Sequence, residues 1–402
     1  MKQDKLTSMN DRFALMDYLD SVEYTNLFLI DVDNFSNLND TYGFDSGDKI
    51  LIEIGKLIDI SKPATAKSFR INSDEFAVVC SEILNMNQLS NMADAMISFF
   101  DQMEIDIGLE APIKTSISIG ISIVKGSALL NNARTAIKEL REHRRASSKI
   151  YDANSDFIKK QKENVYWINK LREAFENENL QPFFQPIINN KTKKIEKYEC
   201  LVRIRDESTI ISPFRFMEAS RLTGTLSLVT RTMIEQSFKA FSNNDYEFSI
   251  NITNSDLYLN YLEEFLLKQS RKYKINPSRV VLEILEDIDS LSSPEIILQL
   301  NSMRYYGFKI AIDDFGSRSS NFSRLLEFSP DYLKIDGSFI KNILEDKNSL
   351  IIVESIVLLC KKSNIKIIAE YVHSAEIQAK IEELGIDYSQ GYYFGEPRAE
   401  II

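Results

Sequence analysis

The sequence contains few of the side chains that bind soft metal ions. Only three cysteines and two histidines occur among its 402 residues. Cys80, Cys200 and Cys360 show no CxxC spacing, and His143 lies too far from His373 for a histidine-based zinc site. The cysteines are therefore predicted to be buried free thiols, as is typical of a cytoplasmic protein.

Long apolar runs and an excess of positive charge are also missing. No uninterrupted apolar segment approaches the ~18 residues of a membrane span, and MKQDKLTSMNDRF lacks the apolar core of a signal peptide. We therefore expect no membrane contact from this segment, although it could be the cytoplasmic part of a larger sensor protein. The net charge of −11 argues against nonspecific binding to nucleic acid. The absence of a GxGxxG turn weakens a dinucleotide-binding fold.

Strand-like and helix-like segments alternate along the whole chain. In the first part, NLFLIDVD, FAVVC and TSISIGISIV predict strands, whereas LIEIGKLIDI predicts a helix. From about residue 181, apolar strands alternate with helices over ~220 residues, which suits a barrel better than an open sheet. We predict an α/β protein with one domain at 1–155 and a TIM-like (β/α)8 barrel at 162–402.

Carboxylate and amide side chains end the apolar strands of the second domain. They are Glu199, Asn251, Glu283, Asp313, Asp314 and Glu370. Because the carboxyl ends of parallel barrel strands meet at one face, these groups should converge there. Their oxygens suit Mg²⁺ or Mn²⁺, and the two adjacent aspartates could share two ions. A single such acid is usually a helix cap or a solvated charge, but the repetition predicts metal-assisted chemistry on a phosphate ester.

Short segments of the second domain resemble a known family. They are QPI at 185–187, ECLVR at 199–203, SINIT at 249–253, LEILE at 282–286, DDFG at 313–316, KID at 334–336, AEYV at 369–372 and QGYYFG at 390–395. With them, about residues 165–398 resemble the EAL family of cyclic-di-GMP phosphodiesterases. The resemblance implies hydrolysis of one phosphodiester bond of cyclic-di-GMP to linear pGpG, with two Mg²⁺ or Mn²⁺ ions.

The same resemblance implies three sets of site residues. The implied metal ligands are Glu199, Asn251, Glu283, Asp313 and Asp314. The implied catalytic groups are Glu370 and Lys334, which assist the attacking water, and Glu286, which steadies the loop after Asp313. The implied substrate contacts are Gln185, Arg203, Asp336 and Gln390.

Five positions depart from the family pattern around these ligands. Cys200 replaces the signature alanine, Leu285 replaces a threonine, and Arg318 stands where DDFGTGYSS has a glycine. In AEYVH, Tyr371 and His373 replace the glycine and the second carboxylate of AEGVE. Because every metal ligand is kept, we predict a phosphodiesterase; the alternative is a non-catalytic cyclic-di-GMP receptor that signals to a protein partner.

The first domain resembles the GGDEF family of diguanylate cyclases, which have a nucleotide-cyclase-like α/β sandwich. The resemblance rests on DKLTSMNDR, IDVDNF, NLNDTYGFDSGD, RINSDEF and TSISIGIS. It implies a GTP site formed by Asp31, Asn39, Asp48, Asp74, Arg141 and Arg145. Asn72 and Ser73 replace the double glycine, whose lack of side chains allows the nucleotide to approach the backbone. We therefore predict no cyclase activity. GTP could still bind to this domain and regulate the second one.

Barrels of the EAL family often pair through the surface near the loop after Asp313. The resemblance therefore also implies that a homodimer could form through the barrel domain.

Overall fold

The chain folds into two compact units. The computed structural model describes residues 2–22, 25–123, 128–142, 145–285, 293–316, 325 and 328–402. The units comprise Met1–Lys160 and Gln161–Ile402. Within the described residues, no helix is both long and apolar enough to cross a bilayer.

The first unit is built on a five-stranded sheet. Its strands are β1 Asn26–Val32, β2 Lys67–Arg70, β3 Glu75–Cys80, β4 Ile117–Ser122 and β5 Ser148–Ile150. Its helices are α1 Arg12–Ser21, α2 Phe35–Tyr42, α3 Phe44–Ser61, α4 Met86–Gln102 and α5 Ala128–Arg141.

Helices cover both faces of this sheet. The strand order is β2-β3-β1-β4-β5, and the central strand β1 is antiparallel to β3 and β4. Since side chains alternate along a strand, Phe28 and Ile30 pack with α3 and α4, whereas Leu27 and Leu29 pack with α1 and α5. The predicted α/β sandwich is confirmed.

The second unit contains a closed barrel. Its strands are β6 Leu180–Asn189, β7 Ile195–Asp206, β8 Thr209–Ile211, β9 Glu247–Ile252, β10 Val280–Leu285, β11 Lys309–Phe315, β12 Tyr332–Ile335, β13 Lys366–Ala369 and β14 Tyr388–Gln390. Helix α6 Asp156–Glu176 contains the boundary between the two units, which falls after Lys160. The following helices are α7 Pro213–Leu222, α8 Leu226–Ala240, α9 Asn254–Tyr258, α10 Leu262–Tyr273, α11 Pro294–Tyr305, α12 Gly337–Lys341, α13 Lys347–Ser363 and α14 Ala375–Leu384. Short 3₁₀ turns lie at Phe241–Asn243 and Pro277–Arg279.

One strand of the barrel runs against the others. The order β6-β14-β13-β12-β11-β10-β9-β7 is closed by pairing of β6 with β7, and β8 extends β7 as a hairpin. The predicted TIM-like barrel is confirmed, but β6 is antiparallel to both β7 and β14 whereas all other neighbouring barrel strands are parallel. Only residues 190–194 join β6 to β7, which is too short for the crossover that a parallel pair requires.

Aromatic rings fill the layer between the barrel and its helices. The ring of Phe248, on β9, stacks on Phe241 with centroids 4.4 Å apart and meets the edge of Phe238 at 5.4 Å. All three rings are fully buried. Trp167 on α6 packs against the same cluster, so the only tryptophan of the chain reports on the barrel unit.

Replacement of Phe248 by alanine should destabilise the barrel strongly. Loss of a fully buried ring and the cavity left behind cost about 3–5 kcal/mol of unfolding free energy. Phe214→Ala is the matched control, because that ring is 88% exposed and its loss should change stability by less than about 0.5 kcal/mol. Urea denaturation followed by Trp167 fluorescence measures both values, and equal midpoints for the two variants would contradict this account of the core.

Candidate functional site

The register of the barrel brings the strand-end residues to one face. Glu283 on β10 lies opposite Asn251 on β9, and Asp313 on β11 lies opposite Leu285 at the end of β10. On the reversed strand β6, Gln185 lies opposite Glu199. Both residues lie inside their strands, so the predicted strand-end position of Glu199 is wrong: β7 continues beyond it to Asp206 as a hairpin with β6 and β8.

The ammonium group of Lys334 lies at the centre of this face. Its Nζ contacts Glu370 Oε1 at 2.8 Å, Glu283 Oε2 at 3.0 Å, Asp313 Oδ1 at 3.0 Å and Glu199 Oε2 at 3.3 Å. The side chain is only 1% exposed. Burial alone would lower the pKa of Lys334, but the surrounding carboxylates outweigh it and hold the pKa well above its usual value. Lys334 is therefore charged and carries the only positive charge among these contacts.

Neutral amides orient the carboxylate of Glu199. Gln390 Nε2 donates to Glu199 Oε2 at 2.6 Å and to Gln185 Oε1 at 3.1 Å, and Asn251 Nδ2 donates to Glu199 Oε1 at 3.0 Å. Gln185 Nε2 in turn donates to the carbonyl of Gly395 at 3.3 Å. Burial opposes ionisation of Glu199, yet Lys334 and the two amides lower its pKa below the usual value.

Two groups of acids in this cluster could each hold a metal ion. One group is Glu199, Glu283 and Asp313, and the other is Asp313, Asp314 and Glu370. Within each group, one oxygen of every carboxylate lies within 4.8 Å of the others. Among the described residues, Glu283 Oε1 is buried without a hydrogen-bond partner. An oxygen-only site with an unpartnered carboxylate oxygen fits a hard divalent cation.

The cluster contains more acids than cations, and this imbalance raises the pKa values of several of the acids. Burial and the neighbouring Glu199 raise the pKa of Glu283 well above its usual value. Burial also raises the pKa of Glu370 to about 8, although Lys334 opposes the shift. The pKa of Asp314 is raised to about 6 by burial and by Asp313. Such a cluster is short of cations, which is the electrostatic condition for metal binding.

A local kink in β11 presents its two aspartates. The pairing of β11 with β12 shifts register between Ile312 and Phe315, and Asp314 has a left-handed backbone with φ of 54°. The amide of Asp314 donates to Asp313 Oδ1 at 2.9 Å. Left-handed backbone costs an L-residue about 1–2 kcal/mol, and aspartate tolerates it better than most. The bulge therefore directs adjacent carboxylates into one site, as bulges beside active sites often do.

A cavity of about 880 Å³ opens above the acidic cluster. Its lining includes the predicted site residues Gln185, Glu199, Asp313, Asp314, Lys334, Asp336, Glu370 and Gln390. Asp336 also caps α12, because its Oδ1 accepts a hydrogen bond from the amide of Ser338 at 2.8 Å. Arg203 is not among the described residues that line the cavity; its Nη1 donates to the carbonyl of Val202 at 2.8 Å.

The cavity wall also contains side chains that the sequence did not indicate. Lys341 and Tyr392 line it, together with Tyr371 and His373, whose roles the sequence left open. Lys341 lies on α12 rather than at a strand end, so the strand-end pattern could not find it. Tyr392 follows Gln390 by two residues, and this closeness in sequence to a predicted substrate contact could have indicated that it lines the site.

A second cavity of about 530 Å³ has a mostly apolar lining. Leu201 lines both cavities, and Asn251 lies in the wall of the second. The predicted residues Glu286 and Arg318 lie outside the described residues.

In the first unit, an arginine pairs with one acid of the predicted GTP site. Asp31 is paired with Arg141, and burial raises the pKa of Asp31 to about 6 despite that pairing. Glu75, which follows Asp74 in the RINSDEF segment, pairs with Arg134 at 2.6 Å. Asp74 is half-buried and lies close enough to Asp31 to raise its pKa further.

The remaining predicted residues of this unit are more scattered. Asn39 lies on α2 against Gly47 of α3, where an added Cβ would lie 1.9 Å from Asn39 Oδ1. Asp48 and Arg145 are exposed. Within the described part of this unit, no three acids, histidines or cysteines come close enough to hold an ion together.

Comparison with known proteins decides the family. Residues 168–397, more than half of the chain, match the family model for the EAL domain. The chain belongs to the EAL domain family. Residues 1–147 match the model for the diguanylate cyclase GGDEF domain.

Two of the relatives align over nearly the whole chain. The chain is 28% identical over 383 residues to the cyclic di-GMP phosphodiesterase PdeB of Shewanella oneidensis, covering 92% of this chain and 44% of that protein. It is 26% identical over 419 residues to the bifunctional diguanylate cyclase/cyclic di-GMP phosphodiesterase MucR of Pseudomonas aeruginosa, covering 98% of this chain and 60% of that protein. This EAL chain spans about half the length of the curated relatives it matches.

A solved EAL structure also matches. The EAL enzyme Bd1971, in its cAMP- and cyclic-di-GMP-bound form, has a TM-score of 0.58 and 25% identity. The match covers 72% of this chain and 80% of that one.

Replacement of Lys334 by methionine should destabilise the metal-free barrel. The change leaves several buried carboxylates without their cation, which costs about 3–5 kcal/mol of unfolding free energy. Added Mn²⁺ should then stabilise this variant more than it stabilises the wild type, because the ion replaces the lost charge. Urea denaturation followed by Trp167 fluorescence, in EDTA and in Mn²⁺, measures both effects.

Lys309→Met is the control for this comparison. Lys309 begins β11 and pairs with Glu247 at the opposite end of the barrel. The Mn²⁺ increment of that variant should equal the wild-type increment. An equal increment for Lys334→Met as well would contradict a cation site around Lys334.

Proposed function

We propose that the second unit is a metal-dependent phosphodiesterase that hydrolyses cyclic-di-GMP to linear pGpG. The observation that carries the proposal is the buried acidic cluster of Glu199, Glu283, Asp313 and Glu370, in which Glu199, Asp313 and Glu370 line the cavity of about 880 Å³. Relatives named as cyclic di-GMP phosphodiesterases support the substrate. We further propose Mg²⁺ or Mn²⁺ as the ion, and two ions, because the two acid groups share Asp313.

The residues would divide the work as follows. Divalent ions held by Glu199, Asn251, Glu283, Asp313 and Asp314 would lower the pKa of a water molecule and stabilise charge on the phosphate. Glu370 lines the cavity beside Asp313 and Asp314, a position from which its carboxylate would accept a proton from the attacking water. Lys334 donates to Glu370 and would keep that carboxylate oriented. We propose that Glu286 steadies the loop after Asp313, as the family resemblance implies.

Recognition of the substrate would use residues of both cavities. Gln185, Asp336 and Gln390 line the main cavity and present polar groups to a ligand, and Arg203 is proposed to join them. Leu201 borders both cavities, so a ligand with two bases could place one base on each side of it.

Glu199→Gln should abolish turnover. The substitution keeps the shape of the side chain but removes the charge that binds the ion, so we expect kcat/KM for cyclic-di-GMP to fall by more than about 100-fold. Glu196→Gln on the same strand is the control, since Glu196 accepts from Asn189 and Thr192 outside the cavity lining. Purified protein is incubated with cyclic-di-GMP and Mn²⁺, and pGpG is resolved by chromatography.

Two outcomes of this assay would change the assignment. Turnover that survives in Glu199→Gln would refute the ligand set. Wild-type protein that retains cyclic-di-GMP without forming pGpG would favour the alternative, a receptor that passes ligand occupancy to a protein partner.

For the first unit, we propose regulatory GTP binding without cyclase activity. The proposed GTP contacts are Asn39 and Asp48 for the base, Arg141 and Arg145 for the phosphates, and Asp31 and Asp74 for an ion. The pairing of Asp31 with Arg141 argues against a cyclase-competent metal site in this unit. We expect GTP to change the rate of cyclic-di-GMP hydrolysis by the full chain and to leave no pppGpG or cyclic product.

Asp48→Ala should remove the GTP effect, whereas Asp101→Ala on α4 should keep it. Hydrolysis rates measured across a GTP titration test this, and a rate that stays constant up to millimolar GTP would refute the proposal.

The domain limits 1–155 and 162–402, the cytoplasmic location and a homodimer through the barrel stay predictions. Sedimentation of the full chain tests the homodimer.

A further inference from the structure

Tyr371 has a backbone conformation that tyrosine rarely adopts. Its φ is +57°, in the left-handed region, directly after Glu370. Bulky side chains are outliers there, whereas glycine enters the region freely. The EAL signature segment AEGVE carries that glycine at this position, so this chain has gained a ring at a strained place beside the acidic cluster. Strain of this kind, when it is kept at a site, is a reason to look for a function.

The neighbouring backbone fixes the direction of the side chain. The amide of Val372 donates to the carbonyl of Gln390 at 3.0 Å, and the amide of Tyr393 donates to the carbonyl of Val372 at 3.1 Å. Gly391 lies so close that an added Cβ would be 2.1 Å from the Val372 carbonyl oxygen. The segment therefore cannot relax to a right-handed conformation without breaking these contacts, and the ring must project from where the backbone holds it.

The ring projects into the main cavity with little covering it. It lines the cavity with Glu370 and Asp313, and the residue is 56% exposed. On one side the His373 ring meets it at a centroid distance of 5.8 Å with an interplanar angle of 69°, and Lys341 Nζ lies 5.8 Å from the ring centre. Its Cβ packs over Gly337, where an added Cβ would lie 2.7 Å away. These contacts anchor the base of the ring and leave over half of the residue open.

We propose that Tyr371 stacks on one guanine base of the bound cyclic dinucleotide and thereby sets its affinity. The inference rests on the proposed function and deepens it. An open aromatic face beside a phosphodiester site suits a planar base, because base–aromatic stacking stabilises binding without requiring a hydrogen-bond pattern. Lys341 beside the ring supplies hydrogen-bond donors for the acceptor atoms of the same nucleotide. Tyr371 is a binding residue in this account, and Glu370 keeps the proton chemistry.

Two substitutions separate planarity from bulk. Tyr371→Phe keeps the flat ring, and Tyr371→Leu keeps an apolar side chain without one; both retain a Cβ at the left-handed position, so the backbone strain is matched. Binding of cyclic-di-GMP is measured by calorimetry in EDTA, so that hydrolysis does not consume the ligand. We expect the Kd of the phenylalanine variant to stay within about 2-fold of wild type and that of the leucine variant to rise by about 5- to 100-fold.

Kinetics and stability exclude a merely structural effect. With Mn²⁺, the leucine variant should show a raised KM with kcat retained, because stacking contributes to binding in the ground state and the transition state alike. The midpoint of thermal unfolding of the leucine variant, followed by Trp167 fluorescence, should match that of the phenylalanine variant. Tyr305→Leu is the control: Tyr305 is 86% exposed on α11 and lies outside the cavity lining, so its Kd should be unchanged.

Each other outcome overturns a defined statement. Equal Kd values for wild type, Tyr371→Phe and Tyr371→Leu would refute stacking while leaving the phosphodiesterase assignment intact. Tighter binding by Tyr371→Leu would show that the ring obstructs the cavity, which also refutes stacking. Wild-type protein that neither binds nor hydrolyses cyclic-di-GMP would refute the proposed function and the stacking together.

Discussion

The Lys334 ammonium surrounded by four carboxylates is the interaction on which the rest of the site depends. Buried carboxylates repel one another, so a barrel that brings them together is destabilised unless a cation lies among them. Lys334, on β12, contacts Glu199, Asp313 and Glu370, so it offsets the repulsion from within the fold. The same contacts place the proposed proton acceptor beside the proposed metal ligands. Folding and chemistry therefore share one electrostatic centre.

Positions around this centre show how the chain adapts a common scaffold. The strand-end acids remain, whereas Tyr371 and Leu285 differ from the family pattern beside them. Tyr371 is tolerated because Gly337 and Gly391 leave space for it and for its backbone. Changes of this kind alter how a ligand is held without touching the groups that would bind the ions. In the first unit the altered position is the glycine turn itself, where Asn72 and Ser73 precede Asp74, and Glu75 beside it is paired with Arg134.

The sequence predicted the features that depend on local pattern. Apolar strands with Glu283 and Asp313 near their ends indicated the barrel and its acidic face, because strand period can be read along the chain, whereas Glu199 lies inside β7. The reversed direction of β6 could not be read, since a strand has the same period in either direction. The pairing of Asp31 with Arg141 joins residues 110 positions apart, and no local pattern encodes such a partner.

The closure of the barrel by β6 and β14 has a consequence for synthesis on the ribosome. Gln390 on the last strand binds Glu199, 191 positions earlier in the chain, and Phe184 of β6 exchanges backbone hydrogen bonds with Arg398. Strands β7 to β13 emerge before these partners exist, so Glu199 lacks the Gln390 amide and the sheet keeps an open edge until β14 is made. The nascent barrel cannot complete its reactive face until nearly all of it has been translated. Premature release of the chain before β14 would thus leave the barrel open between β6 and β13, with Glu199 lacking its Gln390 partner.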